Sequence, residues 1–248
     1  MAGHSKWKNI QNRKNAQDAK RGKVFQKLAK EIYVAAKSGG GDPDTNPGLR
    51  LVIEKAKSAN MPNDNIKRAI DKAAGNQDAE HYEEIIYEGY GPGGAAVMVL
   101  CLTDNKNRTV AEVRHVFSKG GGTLGESGSV AWMFERKGII TLPKQGKSED
   151  DIMEIILDAG ADDLQTEDDF FEIQTSLESF EPVRRVLAEK NFSFENASLQ
   201  WIAQNSVKVS GEDAEKVIKL IEALEDLDDV QNVYSNADFD EETISKSA

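Results

Sequence analysis

Between Gly75 and Tyr82 the apolar period of this chain changes, and that change limits what it can fold into. Before it, apolar residues recur every three or four positions, the spacing of one helix face. After it, they come in short runs that alternate with helical stretches. One bundle or one sheet cannot accommodate both patterns, so at least two kinds of unit share the 248 residues.

The first part predicts three helices. Phe25, Leu28, Ile32 and Ala35 lie on one face until Ser38–Gly41 stops the pattern. Asn46 is placed as a helix cap with Pro47 just inside, and that second helix is expected to run to about Asn60, where Met61-Pro62 breaks it. Ile66, Ala69, Ile70 and Ala73 form the inward face of a third helix ended by Gly75. Beyond residue 82, EEIIYEGY and AAVMVLCLTD read as strands joined by GPGG, residues 107–119 as a helix, and SVAWMF as the next strand. Near the C-terminus SVKVS, a helix through Val217, Leu220, Ile221 and Leu224, and VQNVYSN follow.

Together these give βαβ, a gap, then βαβ, the split arrangement of a ferredoxin-like sandwich. The gap carries helices and strands of its own. The expected architecture is therefore multidomain, α and α+β. A basic N-terminal three-helix domain spans 1–78, and a discontinuous ferredoxin-like α+β domain spans 79–135 and 206–240. An inserted second α+β domain spans 136–205, and 241–248 is a tail. Two sequential α+β domains are the alternative that periodicity leaves open.

Charge follows the same division. Residues 1–78 hold 16 basic and 8 acidic side chains, a balance of +8, while 79–248 hold 15 and 35, a balance of −20. Asymmetry of this kind points to a polyanion partner for the basic part. No run of apolar residues is long enough to span a membrane, and no apolar stretch follows the basic start as a secretory signal requires. The stretch is also Lys-rich with a single Ser, unlike a transit peptide, and the one cysteine, Cys101, sits in an apolar run. A cytoplasmic protein is expected.

Two stretches satisfy G-x-G-x-x-G, Gly89 to Gly94 and Gly120 to Gly125. A dinucleotide site needs a strand before the glycines and a helix after them; the first has strands on both sides and the second follows a helix. Glu126-Ser127 stands where a P-loop needs Lys-Ser/Thr. His4, His81 and His115 are scattered, and the acidic groups Asp162-Asp163 and Glu167-Asp168-Asp169 read as solvated turn. No catalytic set, metal site, cofactor or small-molecule substrate is expected.

The remaining signals concern nucleic acid. Lys6, Lys8, Arg13, Lys14, Lys20, Arg21 and Lys23 are interleaved with amide side chains and with Trp7, and only Asp18 opposes them in the first 25 residues. Cations give phosphate affinity, amides bond to sugars or base edges, and an indole stacks on an unpaired base. In the acidic half, Arg108, Arg114 and Lys119 precede the loop Gly120, Gly121, Gly122, Thr123, Leu124, Gly125, Glu126, Ser127. That loop is long and glycine-rich enough to be mobile and to reach a nucleic acid by backbone contact.

The stretches AGHSKWKNIQNRKNAQDAKRGKVF, NMPNDNIKRAI, YEGYGPGG and GGTLGESGSVAWMF closely resemble the YebC family, which includes a mitochondrial translational activator of cytochrome oxidase. The resemblance covers nearly the whole chain. It implies three domains, the last inserted into the middle one, and no enzymatic activity. It further implies one of two roles. One is a translation factor on ribosomal RNA of the large subunit, easing stretches such as consecutive prolines; the other is a DNA-binding transcriptional regulator. The missing duplex-reading motif and the RNA-like arm favour the first.

Overall fold

A computed structural model describes residues 21–75, 81–144, 146–167, 169–240 and 242–243. Three helices come first: α1 (Arg21–Gly39), α2 (Pro47–Ser58) and α3 (Asn63–Ala74). Leu28, Ile32, Tyr33, Ala36, Leu49, Ala56, Met61 and Ile66 bury their side chains in one core. Asn46 staples the first turn together. It accepts from Leu49 N at 3.0 Å and donates to the carbonyls of Ala35 and Gly40 at 2.9 and 2.8 Å. One amide thus starts α2 and satisfies the end of α1. Asn60 ends α2 at φ 59°, the left-handed position usually given to glycine, with Met61 N–H returning to the Ala56 carbonyl at 2.9 Å.

Mixed α/β structure follows. β1 (Glu83–Tyr90) and β2 (Ala96–Thr103) form an antiparallel hairpin, α4 (Lys106–Lys119) crosses back, and β3 (Thr123–Leu124) pairs with β1. Far along the chain come β8 (Val207–Val209), α7 (Gly211–Glu225), β9 (Val230–Ser235) and β10 (Ala237–Phe239). β9 pairs with β2, giving a sheet of order β3-β1-β2-β9. β2 is buried on both faces. Val97, Val99 and Cys101 meet α4 and α7, whereas Ala96 and Met98 meet Val130, Phe134 and Tyr234.

Between these halves run β4 (Phe134–Pro143), α5 (Glu149–Leu157), β5 (Ala161–Thr166), β6 (Phe170–Thr175), α6 (Leu177–Glu189) and β7 (Asn196–Ala203). Their sheet has order β5-β6-β4-β7. That is the β-α-β-β-α-β pattern of a ferredoxin-like sandwich. Ile140, Leu142, Ile152, Ile156, Phe171, Ile173, Val183 and Leu187 fill the space between sheet and helices.

The ferredoxin-like order therefore belongs to residues 134–203 and not to the discontinuous unit, where the sequence pattern placed it. Two strands are responsible. SVAWMF is not one strand: Ala131–Met133 forms a short 3-10 turn and Phe134 opens β4 in the other sheet. SVKVS makes β8, which pairs in parallel with β10 in a separate two-stranded sheet. β5 went unforeseen because Asp162 and Asp163 break its apolar pattern. It is an edge strand with a register shift between Ala161 and Asp163, where charges face solvent at little cost.

Candidate nucleic-acid interface

Of the expected arm residues, Lys6, Trp7, Lys8, Arg13, Lys14 and Lys20 lie outside the described residues, and of Arg21 only the backbone, at the start of α1, is described. What is described is how α1 continues the positive charge. Lys23, Lys27 and Lys30 recur along one side of the helix and reach the end of α7. Their ammonium groups donate to the carbonyls of Asp226 at 3.0 Å, Glu225 at 2.5 Å and Asp228 at 3.1 Å. The last carbonyls of any helix lack intrahelical partners and carry partial negative charge, so Lys23 and Lys27 cap the end of α7 while Lys30 holds the turn just beyond it. Burial pulls the Lys27 pKa down, against the charge of Glu225.

Lys30 also pairs with Asp229 at 2.9 Å. Asp229 is 3% exposed and collects Arg108 at 2.6 Å, Thr109 Oγ1 at 2.9 Å and Thr103 Oγ1 at 3.1 Å. Burial alone would favour its neutral form. The bonds from Arg108, Lys30 and Thr109 outweigh that and hold its pKa down at about 2. Arg108, expected to steady phosphates, is thus engaged by Asp229 and by Asp104 at 2.7 Å. Arg114 and Lys119 are exposed and make no salt bridge among the described residues.

Between α1 and α3 lies a cleft of about 560 Å³. Lys23, Lys27, Lys30, Arg68 and Lys72 line it together with Tyr33 and Tyr82, and Asp228 is the one acid in the lining. Lys30 sits 5.7 Å from the Tyr82 ring and Lys72 5.9 Å from the Tyr33 ring, each within reach of the π face. The helical apolar spacing that buries Leu28 and Ile32 places these cations on the flanking face.

The glycine-rich loop is not the free connector its composition suggests. It is built on Glu88. In β1, period-2 alternation puts Glu88 on the same face as Ile86, and the residue is 4% exposed. Its carboxylate accepts from the backbone N–H of Gly128 at 2.7 Å, Val130 at 2.8 Å and Ala131 at 2.7 Å. Burial opposes the charge, and the three N–H groups together bring the pKa below the ordinary glutamate value. The Glu88 carbonyl takes Gly125 N–H at 2.8 Å. Gly128 has φ +87°, so the turn at that position requires glycine.

Two aromatic side chains finish the loop. The hydroxyl of Tyr90 and the indole Nε1–H of Trp132 both donate to the Ser129 carbonyl, each at 3.2 Å. Trp132 is nonetheless 66% exposed. Sequence reasoning missed Glu88, Tyr90, Trp132, Lys27, Lys30 and Asp229. The signal for Glu88 was available, a carboxylate set between Ile86 and Tyr90 on one strand face; Trp132 was hidden by reading SVAWMF as a strand.

Neither G-x-G-x-x-G stretch has the setting of a nucleotide loop. Gly89–Gly94 turns the β1–β2 hairpin, and Gly120–Gly125 leads from α4 into β3. Among the described residues no group of three or more His, Cys, Asp or Glu side chains could hold a metal ion. Asp162 faces Lys137 at 3.4 Å instead. No described helix is long and apolar enough to cross a membrane.

Comparison with known proteins covers most of the chain. The family model for the TACO1/YebC protein N-terminal domain matches residues 5–76, and that for the TACO1/YebC second and third domain matches residues 82–237. A probable transcriptional regulatory protein of Anoxybacillus flavithermus is 62% identical over 240 residues, covering 96% of this chain and 98% of the relative. The probable transcriptional regulatory protein YrbC of Bacillus subtilis is 58% identical over 238 residues, with 95% and 99% covered. Among solved structures, a conserved hypothetical protein of Aquifex aeolicus, Aq1575, superposes with a TM-score of 0.83 at 50% identity, over 90% of this chain and 93% of that one.

Proposed function

Because this chain belongs to the TACO1/YebC family, we propose that it is a non-enzymatic, cytoplasmic, nucleic-acid-binding regulator of gene expression. It acts as a translation factor that binds ribosomal RNA, with the large subunit as its platform, and eases difficult elongation such as runs of proline. In this reading the basic unit 1–78 grips RNA. The acidic unit of 79–135 with 206–240, and the unit 136–205 inserted in it, contact proteins and set position.

The observation that carries the reading is the continuity of positive charge. Seven cations fall within the first 25 residues, and beyond them Arg68 and Lys72 of α3 line the cleft beside α1. A flexible polyanion can follow such a track by phosphate contact, with tyrosine rings alongside for stacking. Arg114, Lys119 and the loop 120–127 form a second point of contact.

DNA-binding transcriptional regulation is the second reading, favoured by the names that the relatives carry. Crosslinking in cells followed by sequencing separates the two: ribosomal RNA supports the first, and enriched genomic sites overturn it. Co-sedimentation with the large subunit that fades at moderate salt is the matching expectation in extracts.

A further inference from the structure

Trp132 is a large apolar side chain that the fold holds in place and leaves uncovered. Its Nε1–H is fixed on the Ser129 carbonyl at 3.2 Å, its backbone follows Ala131, which is bound by Glu88 at 2.7 Å, and 66% of the residue remains exposed. A tethered indole has little rotamer freedom left to lose on binding, which is the condition for an efficient contact. Because its single donor is committed, the ring offers only its π face. Whatever binds there binds by stacking and not by hydrogen-bond readout.

The surroundings select the chemistry. From α4 to Lys137, residues 106–137 hold six basic and three acidic side chains, in a half of the molecule whose balance is −20. Lys106 and Arg108 are paired, with Glu83 and Asp229, and Lys137 with Asp162. Arg114, Lys119 and Arg136 are exposed and make no salt bridge among the described residues. Arg136 lies four residues from Trp132, at most about 14 Å of extended chain. The loop itself places Gly125, Glu126, Ser127 and Gly128 at the surface, two of them without a side chain to obstruct an approaching backbone. A flat π face at the end of a bare loop, with the exposed Arg136 four residues along, matches an unpaired base with a flanking phosphate.

We propose that Trp132 is a stacking platform for an unpaired base of a single-stranded nucleic acid, with Arg136 serving an adjacent phosphate. This rests on the nucleic-acid reading above and adds a second, sequence-tolerant contact far along the chain from the basic arm. Duplexes, whose bases are already stacked, are not ligands of this site.

The test uses the full chain and a short oligonucleotide in three forms: single-stranded RNA, single-stranded DNA of the same sequence, and the duplex. Intrinsic fluorescence is compared for wild type, Trp132→Phe and Trp132→Ala, with melting curves confirming the fold. Single strands are expected to quench wild type more than Trp132→Phe, and Trp132→Ala is expected to weaken single-strand binding roughly tenfold while leaving duplex binding unchanged. Trp132→Phe should fall between them. Equal single-strand affinity in wild type and Trp132→Ala overturns the site, and so does a Trp132→Ala variant that loses only binding to RNA-free ribosomal proteins. In either case the broader reading stands if affinity still drops when Lys6, Lys8, Arg13 and Lys14 are replaced. A wild type that binds none of the three forms overturns both.

Discussion

Glu88 of β1 accepts the backbone N–H of Val130 at 2.8 Å across 42 residues, joining the β1–β2 hairpin to the end of the glycine-rich loop. With Gly128 and Ala131 also bound, a single carboxylate sets the loop's shape. Glu88→Gln can keep its carbonyl oxygen on Val130 and Ala131 but turns its NH2 toward the Gly128 N–H, and is expected to cost about 2 kcal/mol. The pH dependence has a definite sign. Since the folded pKa lies below the ordinary glutamate value, the stabilisation is complete above that value and is lost as pH falls through the folded pKa. Denaturant melts from pH 7 to pH 3 should show this acid limb in wild type and a shallower one in the variant. Hydrogen exchange should show residues 128–131 losing protection first.

Gly89 stands one residue on, and the loop closes over it. A Cβ there would lie 2.5 Å from the Thr123 carbonyl oxygen and 2.8 Å from Phe117 Cε1. The first contact is backbone and cannot swing away, so Gly89→Ala must push β3 off β1. A loss of about 2–3 kcal/mol is expected from this overpacking. A two-dimensional NMR spectrum should place the largest shifts at residues 117–130 rather than in the far sheet.

Asp229 offers a second acid-sensitive joint, between the helical unit and the sheet. Its pKa of about 2, against an ordinary value near 3.8, corresponds to about 2 kcal/mol of stability. That contribution is present above pH 3.8 and lost as pH falls through 2. Asp229→Asn should remove it at pH 7 and loosen α1 from α7, because Lys30 and Arg108 both lose their counter-charge. Limited proteolysis near α1, faster in the variant at equal temperature, is the readout.

These three residues also show where sequence reading stops. The helix faces of α1 to α3 were legible because Leu28, Ile32, Ile66 and Ala69 repeat at helical spacing, and the core they form is local. The sheet orders were not. β3 is two residues long, and its partner is chosen by how α4 lies on the sheet, which no periodicity records. The site divides in the same way. Charge segregation points to an arm that lies outside the described residues, and the partners of Lys30 and Arg108 are 199 and 121 residues away. Among the acids of LEDLDD, only the geometry at the end of α7 decides that Asp229 is the buried one.

Cys101 gives a probe that leaves the surface untouched. It is fully buried in β2, and burial, with the nearby Asp229 charge adding to it, pushes its thiol up to about 12. The native protein should therefore resist thiol reagents at pH 8, reacting only when it unfolds. Labelling rate against denaturant should trace the global transition. Rapid labelling of native protein would show that the sheet opens locally around β2.

The two kinds of lysine at the N-terminus should respond differently to salt. Each phosphate contact by an arm residue releases a counterion and adds about 0.7 to the slope of log affinity against log salt for a single strand. Replacing Lys6, Lys8, Arg13 and Lys14 by Gln should thus lower that slope by as much as about 3. Lys27 and Lys30 are already spent on the Glu225 carbonyl and on Asp228 and Asp229. Changing them to Gln should lower the melting temperature, because α1 loses its ties to the end of α7 and to Asp229, and should leave the salt slope nearly as it was. A slope that falls equally in both variants would mean that RNA takes the α1 lysines away from α7 on binding. The helical unit would then have to release the sheet each time it grips its ligand.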